Sequence, residues 1–208
     1  VPLELRGLTV DVVVEDGVVR TTIGETFFNQ TPLQLEGVYR FPLPPDAAIS
    51  RLAMYVDGKR MEAGIVEKDR GRDVYESIVF QRRDPALLEQ TAGNSFKLRI
   101  FPLFARQERR LFLSYTQLLE PLYDRQRLHV PIPEIDTPVG SVNNRVRVVD
   151  GADYTIDSAH DMRRERDGDD VVLSFAAERH DIGDDLLVTL TRPAEQRLAS
   201  FVVDDDRY

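Results

Sequence analysis

The chain contains no cysteine and no tryptophan. The first absence excludes disulfide staples and thiolate metal sites. The second removes a ring that a sugar-stacking cleft would use. No apolar run approaches the roughly 20 residues a membrane span requires, and no signal-peptide pattern is visible. Positive charge is also in deficit: 27 Lys and Arg stand against 36 Asp and Glu, a net charge of −9. That balance argues against nucleic acid, which needs a basic stripe, and against an anionic membrane surface. Neither G-x-S-x-G nor a P-loop occurs, so those hydrolase and nucleotide-binding motifs are missing.

What is present is β character. A chain of 208 residues accommodates one large all-β domain or two small ones. It buries roughly 70% of the surface its unfolded form would expose. Charged residues are 30% of the chain, with both signs interspersed, as on a soluble surface. The chain starts without Met and stops at Tyr208 after an acidic run, which reads as a piece excised from a longer protein. Residues 1–200 are expected to form one domain, with 201–208 as the start of a linker or a following domain.

The organising stretch runs from Asn29 to Pro45. Leu33, Leu35, Tyr39 and Phe41 mix with polar Gln34, Glu36 and Arg40, the pattern of a half-buried strand. Gly37 inside it marks a bulge or a close backbone approach, and Pro42, Pro44 and Pro45 end it. Tyr39 and Phe41 are expected to point to the same side, into the interior.

Alternation also marks Leu8 to Val14 and Val18 to Phe28, joined at Glu15-Asp16-Gly17, a strong hairpin signal. Ile49 to Val56 and Arg60 to Glu67 flank a second tight turn, Asp57-Gly58-Lys59. From Asp69 to Arg82 the period changes. Val74, Tyr75, Ile78 and Val79 recur at helical spacing, which predicts an amphipathic helix over about 70–82 with Asp69 as N-cap and Asp84-Pro85 as its stop. Strands return at Ala86 to Thr91, Phe96 to Leu103 and Arg109 to Leu119. A Pro-rich crossing, Val130 to Pro138, then connects two sheets. Five short strands follow: Arg145 to Val149, Tyr154 to Asp157, Met162 to Glu165, Val171 to Ala176 and Leu186 to Leu190. The fold class is mostly β, an antiparallel β-sandwich with one helix.

Few residues carry a chemical signature. His129, His160 and His180 lack metal spacing and fall near different strands or turns, so they read as surface or packing residues. Asp181, Asp184 and Asp185 form one acidic cluster and Asp204, Asp205 and Asp206 another. Calcium is the ion such turns would take, but neither has the calcium-loop pattern, and solvated turns are the reading adopted. Glu76 and Glu89 would be the acid/base pair of a hydrolytic, carbohydrate-active β-sandwich, the alternative to a binding module. A structural spacer is a third possibility. Asn29-Gln30-Thr31 is formally a glycosylation sequon followed by Pro32, and Asn29 is expected to hydrogen-bond a turn instead.

The order of several runs identifies a family. Phe28-Asn29, Leu35 through Pro44 and then Ala47 resemble the leading signature of the VIT (vault protein inter-alpha-trypsin) domain. The resemblance continues through Asp57-Gly58-Lys59, Glu67-Lys68, Val74-Tyr75-Glu76 and Asp84-Pro85-Ala86-Leu87-Leu88-Glu89-Gln90. It closes with Phe96, Arg99-Ile100-Phe101-Pro102-Leu103 and Arg109 through Tyr115, so it covers residues 5 to 120. Arg70-Gly71-Arg72 and Ser77-Ile78 depart from the usual pattern of the helix. The resemblance implies a β-sandwich placed before a von Willebrand factor A domain, in inter-alpha-trypsin inhibitor heavy chains, a vault-associated ADP-ribosyltransferase or bacterial exported proteins. It implies a non-catalytic interaction or scaffolding module without cofactor, in an exported or membrane-anchored parent. The signature residues Asn29, Glu36, Gly37, Tyr39, Phe41, Pro42, Pro44, Gly58, Tyr75, Glu76, Leu87, Leu88, Glu89, Phe96, Pro102 and Tyr115 are expected to be scaffold. Contacts with a protein partner are expected from Glu120 to Asp136 and Asp157 to Asp170. The metal motif D-x-S-x-S of an A domain is absent from the chain.

Overall fold

The computed structural model describes residues 3–56, 59–62, 86–90, 95–133, 135 and 137–193. Among them, β1 (Leu3–Glu15) and β2 (Val18–Asn29) make the opening hairpin. Asp16 and Gly17 both take positive φ at its turn, 50° and 77°, as the Asp-Gly pair requires. Then follow β3 (Leu35–Pro42), β4 (Ala48–Val56), β5 (Lys59–Glu62), β6 (Ala86–Gln90), β7 (Ser95–Leu103) and β8 (Glu108–Leu118). The second half holds β9 (Arg125–Val130), β10 (Val139–Val148), a single 3-10 turn at Gly151–Asp153, β11 (Thr155–Ser158), β12 (Arg163–Asp167), β13 (Asp170–His180) and β14 (Leu186–Thr191).

Eight strands form one sheet in the order β12-β13-β10-β1-β2-β8-β4-β5. Two three-stranded sheets, β3-β7-β6 and β11-β14-β9, cover its inner face. Tyr39, Phe41 and Leu98 of the first lie against Ile23, Leu52 and Leu113 of the large sheet. Leu186 of the second, with Ile132 beyond β9, lies near Leu8 and Val142. The pairings are antiparallel apart from β1 with β10, which runs parallel from Gly7↔Ser141 to Val14↔Val148. A parallel neighbour cannot be reached by a tight hairpin. The Pro-rich segment after Val130 leads from β9 in one covering sheet to β10 in the large sheet, a connection between sheets as expected.

Alternation puts the core where the sequence predicts it. Leu8, Val10, Val12 and Val14 of β1 are all buried, as are Leu111, Leu113 and Tyr115 of β8. Phe112 faces the other side, where its ring meets Tyr55 edge-on at 5.5 Å. One continuous hydrophobic cluster links residues of all three sheets. β12, whose five residues are all exposed, lies at the edge of the large sheet; its charged sequence Arg-Arg-Glu-Arg-Asp discourages edge-to-edge pairing.

Several boundaries differ from those expected. β9 is unanticipated, because its inward residues are Gln126, Leu128 and Val130 and a glutamine breaks the apolar alternation. Gln126 is accommodated by donating from Nε2 to the Leu119 carbonyl at 3.0 Å. β10 begins at Val139 rather than Arg145, its polar Ser141, Asn143 and Asn144 having masked the strand. β3 spans Leu35–Pro42 instead of starting at Leu33. The helix expected over 70–82 and the turn residue Gly58 lie outside the described residues.

Candidate interaction surfaces

The signature strand β3 carries a row of rings. Phe27 of β2 meets Tyr39 at 5.7 Å, Tyr39 stacks on Phe41 at 5.5 Å, and Phe41 stacks on Phe96 of β7 at 5.7 Å. Tyr39 and Phe41 therefore share the inward side, and Phe41 is 3% exposed. Such ring pairs add about 0.5–1.5 kcal/mol each beyond their buried area. Gly37 marks both a register shift between Leu35 and Gly37 and a close approach. A Cβ there would meet Leu103 Cδ1 at 2.7 Å. Glu36 is exposed, Pro44 is buried, and the Pro44 carbonyl accepts from Ala47 N–H at 3.2 Å to close the turn.

Beneath this row lies a carboxyl that sequence reasoning missed. Glu25 is 4% exposed and accepts a 2.7 Å hydrogen bond from the Tyr39 hydroxyl. Burial pushes its pKa up to about 7, while the Tyr39 bond pulls in the opposite direction. Desolvation and the adjacent Glu25 hold the Tyr39 hydroxyl well above its ordinary value. The signal was available: Val19, Thr21, Ile23 and Glu25 are successive inward positions of one strand.

Asn29 is 1% exposed and is wired to two loops. Its Nδ2 donates to the carbonyls of Leu33, Leu103 and Phe104 at 2.8, 3.0 and 3.2 Å. Its Oδ1 accepts from the Thr31 N–H and hydroxyl at 2.9 and 2.8 Å. The expected turn bond is thus present, and the sequon amide is occupied. Pro102 is buried and its carbonyl accepts from the buried Arg109 guanidinium at 2.7 Å. Tyr115 is wholly buried opposite Thr21. Leu87, Leu88 and Glu89 lie in β6, paired with Arg99, Leu98 and Lys97. Gly58, Tyr75, Glu76, Asp204, Asp205 and Asp206 lie outside the described residues, so the Glu76/Glu89 pairing does too.

The histidines converge on the loop after β13, which their separation in sequence does not suggest. His129 Nε2 lies 2.6 Å from Asp185 Oδ2, and Asp185 Oδ1 accepts the Ile132 N–H at 2.9 Å. His160 donates from Nε2 to the Asp185 carbonyl at 2.8 Å. His180 packs on Phe175 with ring centroids 5.1 Å apart. Although burial opposes it, the two hydrogen bonds and the His129 charge leave the Asp185 carboxyl below its ordinary pKa. Among the described residues, no three His, Asp or Glu side chains are placed to hold a metal ion. His160, His180, Asp181 and Asp184 instead border a cavity of about 240 Å³ between the sheets.

A second surface lies at the turn after β8. Leu118, Leu122 and Tyr123 are 70%, 68% and 94% exposed, and Val18, the cross-strand partner of Leu118, is 44% exposed. Leu122 and Arg125 close the turn by exchanging backbone hydrogen bonds of 2.8 and 3.1 Å. Tyr123 sits at its tip with φ 59°. β14 ends at the same place: Arg192 N–H donates to the Asp124 carbonyl at 2.8 Å.

A family model described as the vault protein inter-alpha-trypsin domain matches residues 5–115. The mono-ADP-ribosyltransferase PARP4 of Mus musculus is 26% identical over 114 residues, covering 55% of this chain and 6% of that protein. The von Willebrand factor A domain-containing protein 5A of Homo sapiens is 26% identical over 139 residues, covering 66% of this chain and 18% of that protein. The chain thus spans a small part of the length of these relatives. A Legionella pneumophila crystal structure with a provisional nutrient-binding assignment superposes with a TM-score of 0.63 at 10% identity, over 91% of this chain and 67% of that one. The M1 zinc metallopeptidase of Deinococcus radiodurans gives a TM-score of 0.50 at 13% identity, over 91% and 42%. Likeness at such identities concerns the fold alone. With its signature strand in a covering sheet and more than half its length matched, this chain belongs to the vault protein inter-alpha-trypsin domain family.

Proposed function

We propose that this chain is a non-catalytic interaction module that packs against, and positions, an adjoining von Willebrand factor A domain in its parent polypeptide. The family membership supports this reading, as does similarity to a protein named for its von Willebrand factor A domain. One structural observation carries it: the exposed apolar tip of Val18, Leu118, Leu122 and Tyr123 adjoins the point where the chain leaves β14. Exposed aromatic and aliphatic side chains grouped in this way mark contact surfaces.

The test is amide hydrogen exchange in the parent polypeptide and in the 208-residue chain by itself. Residues 118–125 are expected to exchange more slowly in the parent, and Leu122→Asp with Tyr123→Ser to abolish that protection. Equal exchange in the two forms overturns the assignment of the tip.

A further inference from the structure

We propose that the cavity beside His160 and His180 receives a cationic aliphatic side chain, lysine or arginine, from a partner protein. This goes beyond the apolar tip, and it depends on the interaction-module reading only in that the ligand belongs to a protein. The cavity measures about 240 Å³. Its floor is apolar, with Leu8 and Val142 of the large sheet and Leu186 of the covering sheet each 1–2% exposed. Phe175 and Met162, both partly buried against the core, extend that lining. These surfaces suit a run of methylenes.

The polar groups select the charge. Asp161, Asp181 and Asp184 all border the cavity and are all exposed. No lysine or arginine is among the described residues that line it. Asn144 is the lining residue between Val10 and Phe175 across the large sheet. Its Oδ1 is buried with no hydrogen-bond donor among the described residues, so the exposed carboxylates of Asp161, Asp181 and Asp184 are the acceptors a donating ligand would reach. Lysine and arginine combine an apolar stem with a donating cationic head in this way. The cavity is framed by Ile132 on one side and His160 to Met162 on the other. It therefore draws on both segments in which partner contacts are expected, Glu120 to Asp136 and Asp157 to Asp170.

The experiment is an NMR titration of the ¹⁵N-labelled 208-residue chain with Nα-acetyl-lysine amide, Nα-acetyl-arginine amide and Nα-acetyl-norleucine amide. The cationic probes are expected to give saturable shifts at Met162, Phe175 and Gly183, with norleucine about tenfold weaker. Asp181→Asn with Asp184→Asn, both at exposed positions, should reduce the cations to the norleucine level and leave norleucine binding unchanged. Absence of saturable shifts with either cation overturns the proposal. So does norleucine binding equal to the cations, which would make the cavity an apolar slot, or shifts confined to other surfaces. Exchange at residues 118–125 is read separately, so failure here leaves the tip assignment standing and the reverse also holds.

Discussion

The Tyr39 hydroxyl reaches across the interior to donate to the Glu25 carboxyl at 2.7 Å. It ties the covering sheet β3-β7-β6 to the eight-stranded one. The bond places an ionisable group under the aromatic row of the family signature, and its consequence is a pH-dependent stability.

Burial raises the folded pKa of Glu25 from its ordinary value of 4.5 to about 7, so the folded state holds its proton more tightly than the unfolded one. The stability from this group is present in full below about 4.5, declines through pH 4.5–7, and is lost above about 7. Over that window the loss is on the order of 3 kcal/mol. Glu25→Gln should flatten this part of the stability curve and melt above wild type at pH 8. Urea denaturation across pH 5–8 checks it, and parallel curves for the two proteins would refute it.

Removing the Tyr39 hydroxyl takes away the interaction that, among the described residues, lowers the Glu25 pKa. In Tyr39→Phe the carboxyl should therefore titrate higher than in wild type. Carboxyl ¹³C NMR reads this directly, and an unchanged or lower midpoint contradicts the geometry.

Phe41→Ala should cost about 3–5 kcal/mol, the usual range for truncating a buried large aromatic. Phe41 is 3% exposed and stacks on both Tyr39 and Phe96. Near-wild-type melting would show that the ring does not pack in this way in solution.

Asn29→Ala takes the Nδ2 donor from the carbonyls of Leu33, Leu103 and Phe104; Leu33 keeps the Thr31 hydroxyl and Phe104 the Gln107 N–H, so the buried bond to Leu103 is the main loss. A loss of about 1–3 kcal/mol is expected for orphaned buried groups, with faster exchange concentrated around residues 31–33 and 103–107. For the same reason, expression through a glycosylating secretory route should leave Asn29 unmodified. Mass spectrometry showing a glycan there would mean that the loop opens before the fold closes.

Asp170 joins two strands, taking the Asp150 N–H at 3.0 Å and Arg147 Nε at 2.7 Å. These bonds hold its carboxyl below the ordinary value. Its contribution is therefore present above the unfolded pKa and lost as pH falls through the lower folded one. Asp170→Asn should reduce the melting temperature at pH 7 and bring the variant closer to wild type toward pH 3. A constant difference across that range would contradict the assignment.

Local pattern determined much of this protein. Period-two alternation identified the inward faces of β1, β3 and β8, and Asp16-Gly17 their first hairpin, because both depend on neighbours within a few residues. The ordered signature from Asn29 to Tyr115 identified the family, and the inward placement of Tyr39 and Phe41 followed from it. What tertiary structure decided is non-local. The parallel pairing of β1 with β10 joins residues more than 130 positions apart in sequence, a distance over which no periodicity carries information. β9 was hidden because Gln126 stands at an apolar position and finds its partner only once Leu119 is beside it. The convergence of His129 and His160 on Asp185 and the bond between Tyr39 and Glu25 share that origin. Each depends on which sheet covers which, and that is settled by packing.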